Sequence, residues 1–285
     1  MNGTLDRRVL AFRDDLAALS LKGRVHAPRY AEGRPMRVVA GRAAMRGRPD
    51  AAASMVSELV FGEDVTVYDR ANGWAWVQAA HDDYVGYVAA ADLGVAEDPA
   101  PTHRVGVPVS HLYPGGDLKR PPVAMLPLGA RFAVREVRGR WLRVVDDLWI
   151  PAPHAEPLDA LRPDPVDSAL ALVGVPYLWG GRTPFGLDCS GLVQIVLGLA
   201  GIAAPRDSDQ QAAALGRALG PDEVATRGDI VFFPGHVGLM ADAARLVHAN
   251  AFAMAVSVEP LEAVVARVAA EIGPDRAPVT ARRRL

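Results

Sequence analysis

Residues 59–78, LVFGEDVTVYDRANGWAWVQ, align without a gap on residues 126–145, LPLGARFAVREVRGRWLRVV, at an offset of 67. The shift pairs Gly62 with Gly129, Val65 with Phe132, Val67 with Val134, Trp74 with Trp141 and Val77 with Val144. Both copies alternate apolar and polar residues around a turn that ends in Trp, the period of a half-buried strand. Each then runs through a DD pair into an aromatic strand, DDYVGYV from Asp82 and DDLWIPA from Asp146. The repeat predicts two small β-barrels on one plan, the second copy the weaker match. At 285 residues the chain also has room for a further core.

On either side of the repeat the texture changes. Leu5, Val9, Phe12, Leu16 and Leu19 recur at helical spacing, which predicts an N-terminal helix over residues 5–20. The Pro-containing stretches VAEDPAPTH from Val95 and PHAEPLDALRPDP from Pro153 read as boundaries. They divide the chain into a helical extension (1–35), a first barrel (36–98), a second barrel (99–157) and a C-terminal domain (158–285). The last begins with a short helix at DPVDSALALVG, an apolar helix after Cys189 and a helix at DSDQQAAALGRAL. The strands RGDIVFF, HVGLMA, RLVHAN and MAVSVEP follow, so the expected class is α+β with an antiparallel sheet.

Charge and composition exclude several functions. A net charge of −2 offers no basic field for nucleic acid. No window approaches the roughly 18 unbroken apolar residues of a membrane span, and the first 23 residues interrupt their apolar positions with Arg and Asp where a secretory signal would not. A cytoplasmic protein without nucleic-acid or membrane partners is the expectation; nothing in the sequence points to an oligomeric state. The single cysteine rules out an internal disulfide.

That cysteine, Cys189, lies in GGRTPFGLDCSGLVQIVLGLAGI, where a Gly-rich turn gives way to a helix apolar on nearly every face. Asp188 or Ser190 can cap the helix and Gly201 can end it. A thiol in the first turn meets free backbone N–H groups and the positive end of the helix dipole, both of which favour thiolate. An inert buried cysteine is the competing reading. Of seven histidines, His236 and His248 lie on strands after the cysteine helix. If Met240 and Ala244 close a three-residue loop, His236 opposes His248 on one face of the sheet, whereas a four-residue loop would put them on opposite faces. Two imidazoles beside a helix-start thiol are the parts of a thiol-peptidase site. A zinc site fits poorly, since one Cys and two distant His lack close ligand pairs, and no metal or other cofactor is implied.

PYLWGG, DCSGLV, PRDSDQQ, RGDIVFFPGHVGLM and LVHAN, in this order from Pro176 to Asn250, make the C-terminal segment resemble the NlpC family of bacterial cell-wall cysteine peptidases. The repeat resembles tandem bacterial SH3-like barrels, with SELVFGEDV, GWAWV and DYVGYV the better copy. Together the chain resembles the γ-D-glutamyl-L-diamino-acid endopeptidases that act on stem peptides freed from peptidoglycan. The resemblance implies a papain-like domain with Cys189 as nucleophile, His236 as base and His248 as third member. It implies that Tyr177 lies near the nucleophile and, with the Cys189 N–H, binds the oxyanion. It also implies that Asp188, Ser190, Asp207 and Ser208 contact substrate, and that Glu63 and Tyr84 grip the free amine of L-Ala.

Several of these residues have a structural reading too. SDQQ from Ser208 is a capping box, Asp188 a helix cap, Tyr177 a core partner of Trp179, and Glu63 a solvated turn acid. The resulting expectation is a cytoplasmic endopeptidase that cuts the γ-D-Glu–diaminopimelate or γ-D-Glu–Lys bond of free-amine muropeptides, in peptide recycling. The alternatives are a non-catalytic wall-binding protein and an exported peptidoglycan hydrolase.

Overall fold

Asn72 and Gly73 adopt φ of 51° and 80°, the two left-handed residues that a two-residue hairpin matched to strand twist requires. They join strands Asp64–Ala71 and Trp74–Ala79, which pair antiparallel with Val67 opposite Val77. The computed structural model describes residues 5–96, 99–220 and 222–285, so Glu97 and Asp98 of the expected boundary lie outside the described residues. The chain forms two compact units, residues 1–160 and 161–285.

In the first unit that hairpin belongs to a seven-stranded sheet with Met55–Val60, Arg42–Arg46, Val85–Ala89, Arg34–Val38 and Leu93–Val95. Alternate residues Val65, Val67, Ala75, Val77 and Ala79 close on Met36, Val38, Met45, Leu59 and Val88 as one core. The second copy repeats the plan with strands Glu136–Arg138, Trp141–Val145 and Leu148–Pro151 around a core of Leu126, Phe132, Leu142, Val144 and Ile150. Gly62 and Gly129, matched by the repeat, share φ of 82° and 86°. The copies differ where Asp64–Ala71 is one strand. Its counterpart is split into Arg131–Phe132 and Glu136–Arg138, which join separate sheets of three and five strands. They abut at Gly62: a Cβ there would come within 1.9 Å of the Arg131 carbonyl oxygen, while the Arg131 N–H donates to the Phe61 carbonyl at 2.8 Å.

The N-terminal helix expected over residues 5–20 does not form. This segment holds a short strand, Leu16–Ala18, paired parallel with Arg29–Ala31, and a 3-10 turn, Leu19–Leu21. Leu10, Ala11, Phe12, Leu16, Ala18 and Leu21 pack with Trp76 in a separate cluster. Leu5 and Leu19, both counted in the helical stripe, stay exposed. A helix of this length is marginal on its own, and burial against Trp76 outweighs propensity.

The second unit is built on a six-stranded antiparallel sheet in the order Arg217–Ala218, Ala281–Arg284, Ile230–Phe233, His236–Met240, Arg245–Asn250, Ala255–Pro260. Helix α1 is Pro165–Leu170, α2 Cys189–Leu199, α3 Ser208–Ala214 and α4 Leu261–Ile272. Leu192, Val193, Val196 and Leu197 bury most of α2, which packs on the His236 and Arg245 strands. Gly201, at φ 80°, ends it: the Ile202 N–H reaches back to the Leu197 carbonyl and the Gly201 N–H to that of Gly198. Helix α3 is shorter than the expected run through Leu219, because Gly216 turns the chain at φ 48° into the strand Arg217–Ala218. Among the described residues no helix is long and apolar enough to cross a membrane.

Candidate active site

The start of α2 is fastened by a buried carboxylate. Asp188 is its N-cap and accepts the Gly191 N–H at 2.7 Å and the Gly180 N–H at 2.9 Å. Arg206, 1% exposed, adds two bonds to the same carboxylate, 3.0 Å to Oδ1 and 2.5 Å to Oδ2, and one of 2.9 Å to Ser190 Oγ. Cys189 is therefore held as the first helical residue.

Cys189 is 8% exposed. Backbone N–H groups of Val237 and Ser190 hydrogen-bond its sulfur, so the thiol lies beside the strand residue that follows His236. These donors were expected to produce a thiolate. Burial, followed by the neighbouring Asp188 charge, outweighs them and pushes the thiol up to about 11. Burial and then His248 push His236 down to about 3. At neutral pH both the Cys189 thiol and the His236 imidazole are therefore neutral.

Pro234 and Gly235, the latter at φ 69°, turn the chain so that His236 opens its strand opposite Phe233. The next hairpin departs from the expected register. Met240 opposes Leu246 rather than Ala244, with a three-residue loop at 242–244. The offset changes by two residues, so both histidines stay on one face and meet diagonally instead of directly. His236 Nε2 lies 2.8 Å from His248 Nδ1. Gly238 leaves room for this, since a Cβ there would lie 2.9 Å from His248 Cβ. His248 is fully buried, and its Nε2 is 2.9 Å from Glu259 Oε1.

Two segments of the chain match known protein families. Residues 174–268 match the NlpC/P60 family and residues 45–93 the bacterial dipeptidyl-peptidase SH3 domain. The chain carries an NlpC/P60 cysteine-peptidase domain. Over 255 residues it is 28% identical to dipeptidyl-peptidase 6 of Lysinibacillus sphaericus, covering 79% of this chain and 91% of that protein. Over 217 residues it is 29% identical to the γ-D-glutamyl-L-lysine dipeptidyl-peptidase of Bacillus subtilis, covering 67% and 71%. The crystal structure of an NlpC/P60 protein from Bacillus cereus shares the fold, with a TM-score of 0.74 over 88% of this chain and 99% of that one at 18% identity.

Around the thiol of the NlpC/P60 domain the remaining expected residues divide. Tyr177 is half-buried, and its phenol is raised to about 12 by burial and then by the charges of Cys189 and Asp188, so it lies close to Cys189 and stays protonated. Trp179 is 65% exposed and makes no core with it. Ser190 is buried, its hydroxyl bonded to Arg206. The capping box at SDQQ is absent: Asp207 holds the cap position, Ser208 is the first helical residue, and no side-chain cap bond forms. Gln211, the box's fourth residue, instead donates to the carbonyls of Ser190 and Pro205 at 3.0 and 2.8 Å.

Glu63 and Tyr84 belong to the first unit. Glu63 is not a solvated turn acid. It is 4% exposed, accepts the Val60 N–H at 2.9 Å, and lines a cavity of about 170 Å³ with His81 and Arg131. Tyr84 is buried in the first barrel's core and does not line that cavity. Sequence reasoning missed Arg206, Gln211 and Glu259. The usable signal was alternation: in AVSVEP, Ser257 and Glu259 fall on the face that His248 shares.

Proposed function

We propose that this protein is a cysteine endopeptidase that hydrolyses the γ-D-Glu–diaminopimelate or γ-D-Glu–Lys bond of stem peptides with a free L-Ala amine, recycling wall peptides in the cytoplasm. The observation that carries the reading is the 2.8 Å bond between His236 and His248 beside a thiol bonded by the Val237 N–H. The relatives named for dipeptidyl-peptidase and γ-D-glutamyl-L-lysine dipeptidyl-peptidase activity support the bond class.

In this mechanism His236 takes the proton of a neutral Cys189 thiol as the sulfur attacks the γ-carbonyl carbon. The oxyanion is met by the Cys189 N–H and by the Tyr177 hydroxyl, which stays protonated near pH 7. Protonated His236 passes its proton to the leaving amine, and the C–N bond breaks to give a thioester. Water, deprotonated by His236, then cleaves the thioester and restores the thiol. Ser190, Asp207 and Ser208 are assigned to substrate contact. Asp188 acts through its backbone position, because its carboxylate is occupied by Arg206 and two N–H groups.

Glu63 is assigned the substrate amine, supported by its buried carboxylate at a small cavity. A carboxylate desolvated against an ammonium group rejects N-acylated peptides, which lack the partner charge. Tyr84 accompanies it in this reading, and the second repeat copy is assigned as another SH3-like barrel. Domain limits of 36–98, 99–157 and 158–285 belong to the same proposal. The test is mass spectrometry of products from free-amine and N-acetylated tripeptides. Wild type should release L-Ala-γ-D-Glu from the free-amine peptide only, Cys189→Ala should release none, and chelator should change nothing. Turnover by Cys189→Ala would refute the mechanism, and equal cleavage of the acetylated peptide would refute the amine preference.

A further inference from the structure

A row of hydrogen bonds continues past the two histidines. His248 Nε2 meets Glu259 Oε1 at 2.9 Å, and Arg267 of α4 holds both oxygens of that carboxylate, 2.9 Å to Oε2 and 3.1 Å to Oε1. Ser257 Oγ donates to the same Oε1 at 3.3 Å and accepts from Asn250 at 2.8 Å, while the Arg267 guanidinium lies 4.0 Å from the Phe252 ring centre. The two steps from His236 to His248 and from His248 to Glu259 each cross to the next strand diagonally, since His248 is paired with Ser257 and Glu259 with Leu246.

The protonation pattern follows from the end of the row. Burial pushes the Glu259 carboxyl up, but Arg267 and His248 more than offset this and keep it below the usual carboxylate range, so it is an acceptor only. The nitrogen it meets, His248 Nε2, must then carry a hydrogen. Burial outweighs Glu259 at His248 and holds this ring neutral, leaving Nδ1 as an acceptor. His236 must donate through Nε2, and the lone pair of its own neutral ring is left on Nδ1.

We propose that Glu259, clamped by Arg267, is a positioning residue that sets the tautomers of both His248 and His236 and so presents the His236 Nδ1 lone pair as the base. The inference rests on the proposed roles of Cys189 and His236, but it concerns proton positions that can be read without turnover. A merely structural Glu259 would tie the Ala255–Pro260 strand to α4 and leave the tautomers alone.

The experiment is 15N-histidine NMR of the full chain with steady-state kinetics on the free-amine tripeptide. In wild type at neutral pH both His236 and His248 should be protonated at Nε2 and bare at Nδ1. Either ring carrying its hydrogen on Nδ1 overturns the proposal, even if no variant folds. Glu259→Gln, which can offer His248 a donor, should shift the His248 signals toward the other tautomer and lower kcat by about 10–100-fold with KM little changed. Glu259→Asp should keep the wild-type tautomers and most of the activity. A Glu259→Gln enzyme with wild-type kcat, or one slowed while both rings keep their wild-type signals, refutes the assignment. If Cys189→Ala proves active, the proposed function fails while the tautomer measurement still stands.

Discussion

Replacing Arg206 by Met keeps most of the side chain's volume but strands the Asp188 carboxylate beside Cys189. Asp188 would lose the bonds of 3.0 and 2.5 Å and keep the Gly180 and Gly191 N–H donors and a long 3.4 Å contact from the Ser190 hydroxyl. Removing one partner of a buried ion pair costs about 3–5 kcal/mol, because the other charge stays desolvated. That is a large part of the roughly 5–15 kcal/mol that holds a domain folded. For a unit of this size about 1 kcal/mol shifts the melting point by about 4 °C, so calorimetry on the full chain should show the peptidase transition fall by roughly 12–20 °C. The chemistry should move as well: Asp188 raises the Cys189 thiol and Arg206 lowers it, so Arg206→Met should slow alkylation by iodoacetamide. Adding Asp188→Asn removes the stranded charge and should recover much of both losses, giving a strongly non-additive cycle. A cost for Arg206→Met below about 1 kcal/mol, the level of a solvated surface pair, would refute the reasoning, as would an additive cycle.

Alkylation also tests the neutral pair at the site. With the thiol pushed up to about 11, its thiolate fraction rises about tenfold per pH unit below that point. Inactivation by iodoacetamide should therefore climb steadily from about pH 7 to about pH 10; a plateau near neutrality would mean a resting ion pair instead. Between about 3, where His236 gains its proton, and about 11, where Cys189 loses its own, these two groups should leave kcat/KM flat. A bell centred on neutral pH in Cys189-dependent turnover, traced to these residues by NMR titration, would contradict that. Gly238→Ala places a Cβ 2.8 Å from Leu246 Cγ and 2.9 Å from His248 Cβ. It should cost about 1–3 kcal/mol and reduce kcat by displacing His248, and a variant with wild-type melting and turnover would show that the strand has slack.

The repeat was legible because alternation, a Gly with positive φ and a hairpin before Trp all demand the same local structure at Gly62 and Gly129, and at Trp74 and Trp141. The N-terminal helix failed where a period of 3.6 was the sole argument. Trp76, far along the chain, decides which of Leu10, Leu16 and Leu21 are buried, and no local window contains it. Rarity singles out Cys189, which has no competitor, whereas Arg206 is one of 31 basic residues and acquires its meaning only when the fold brings it under Asp188. Glu259 was hidden in the same way: it is one acid among 33 until Arg267 and His248 converge on it. The hairpin shows what kind of inference survives error. The predicted partner of His236 was displaced by two residues, yet the strand's period of two returned both rings to one face and let them meet on the diagonal. A face assignment depends only on whether the slip is even or odd, while a contact assignment depends on its size. The pairing of the two histidines was thus a safer deduction from sequence than the register used to reach it.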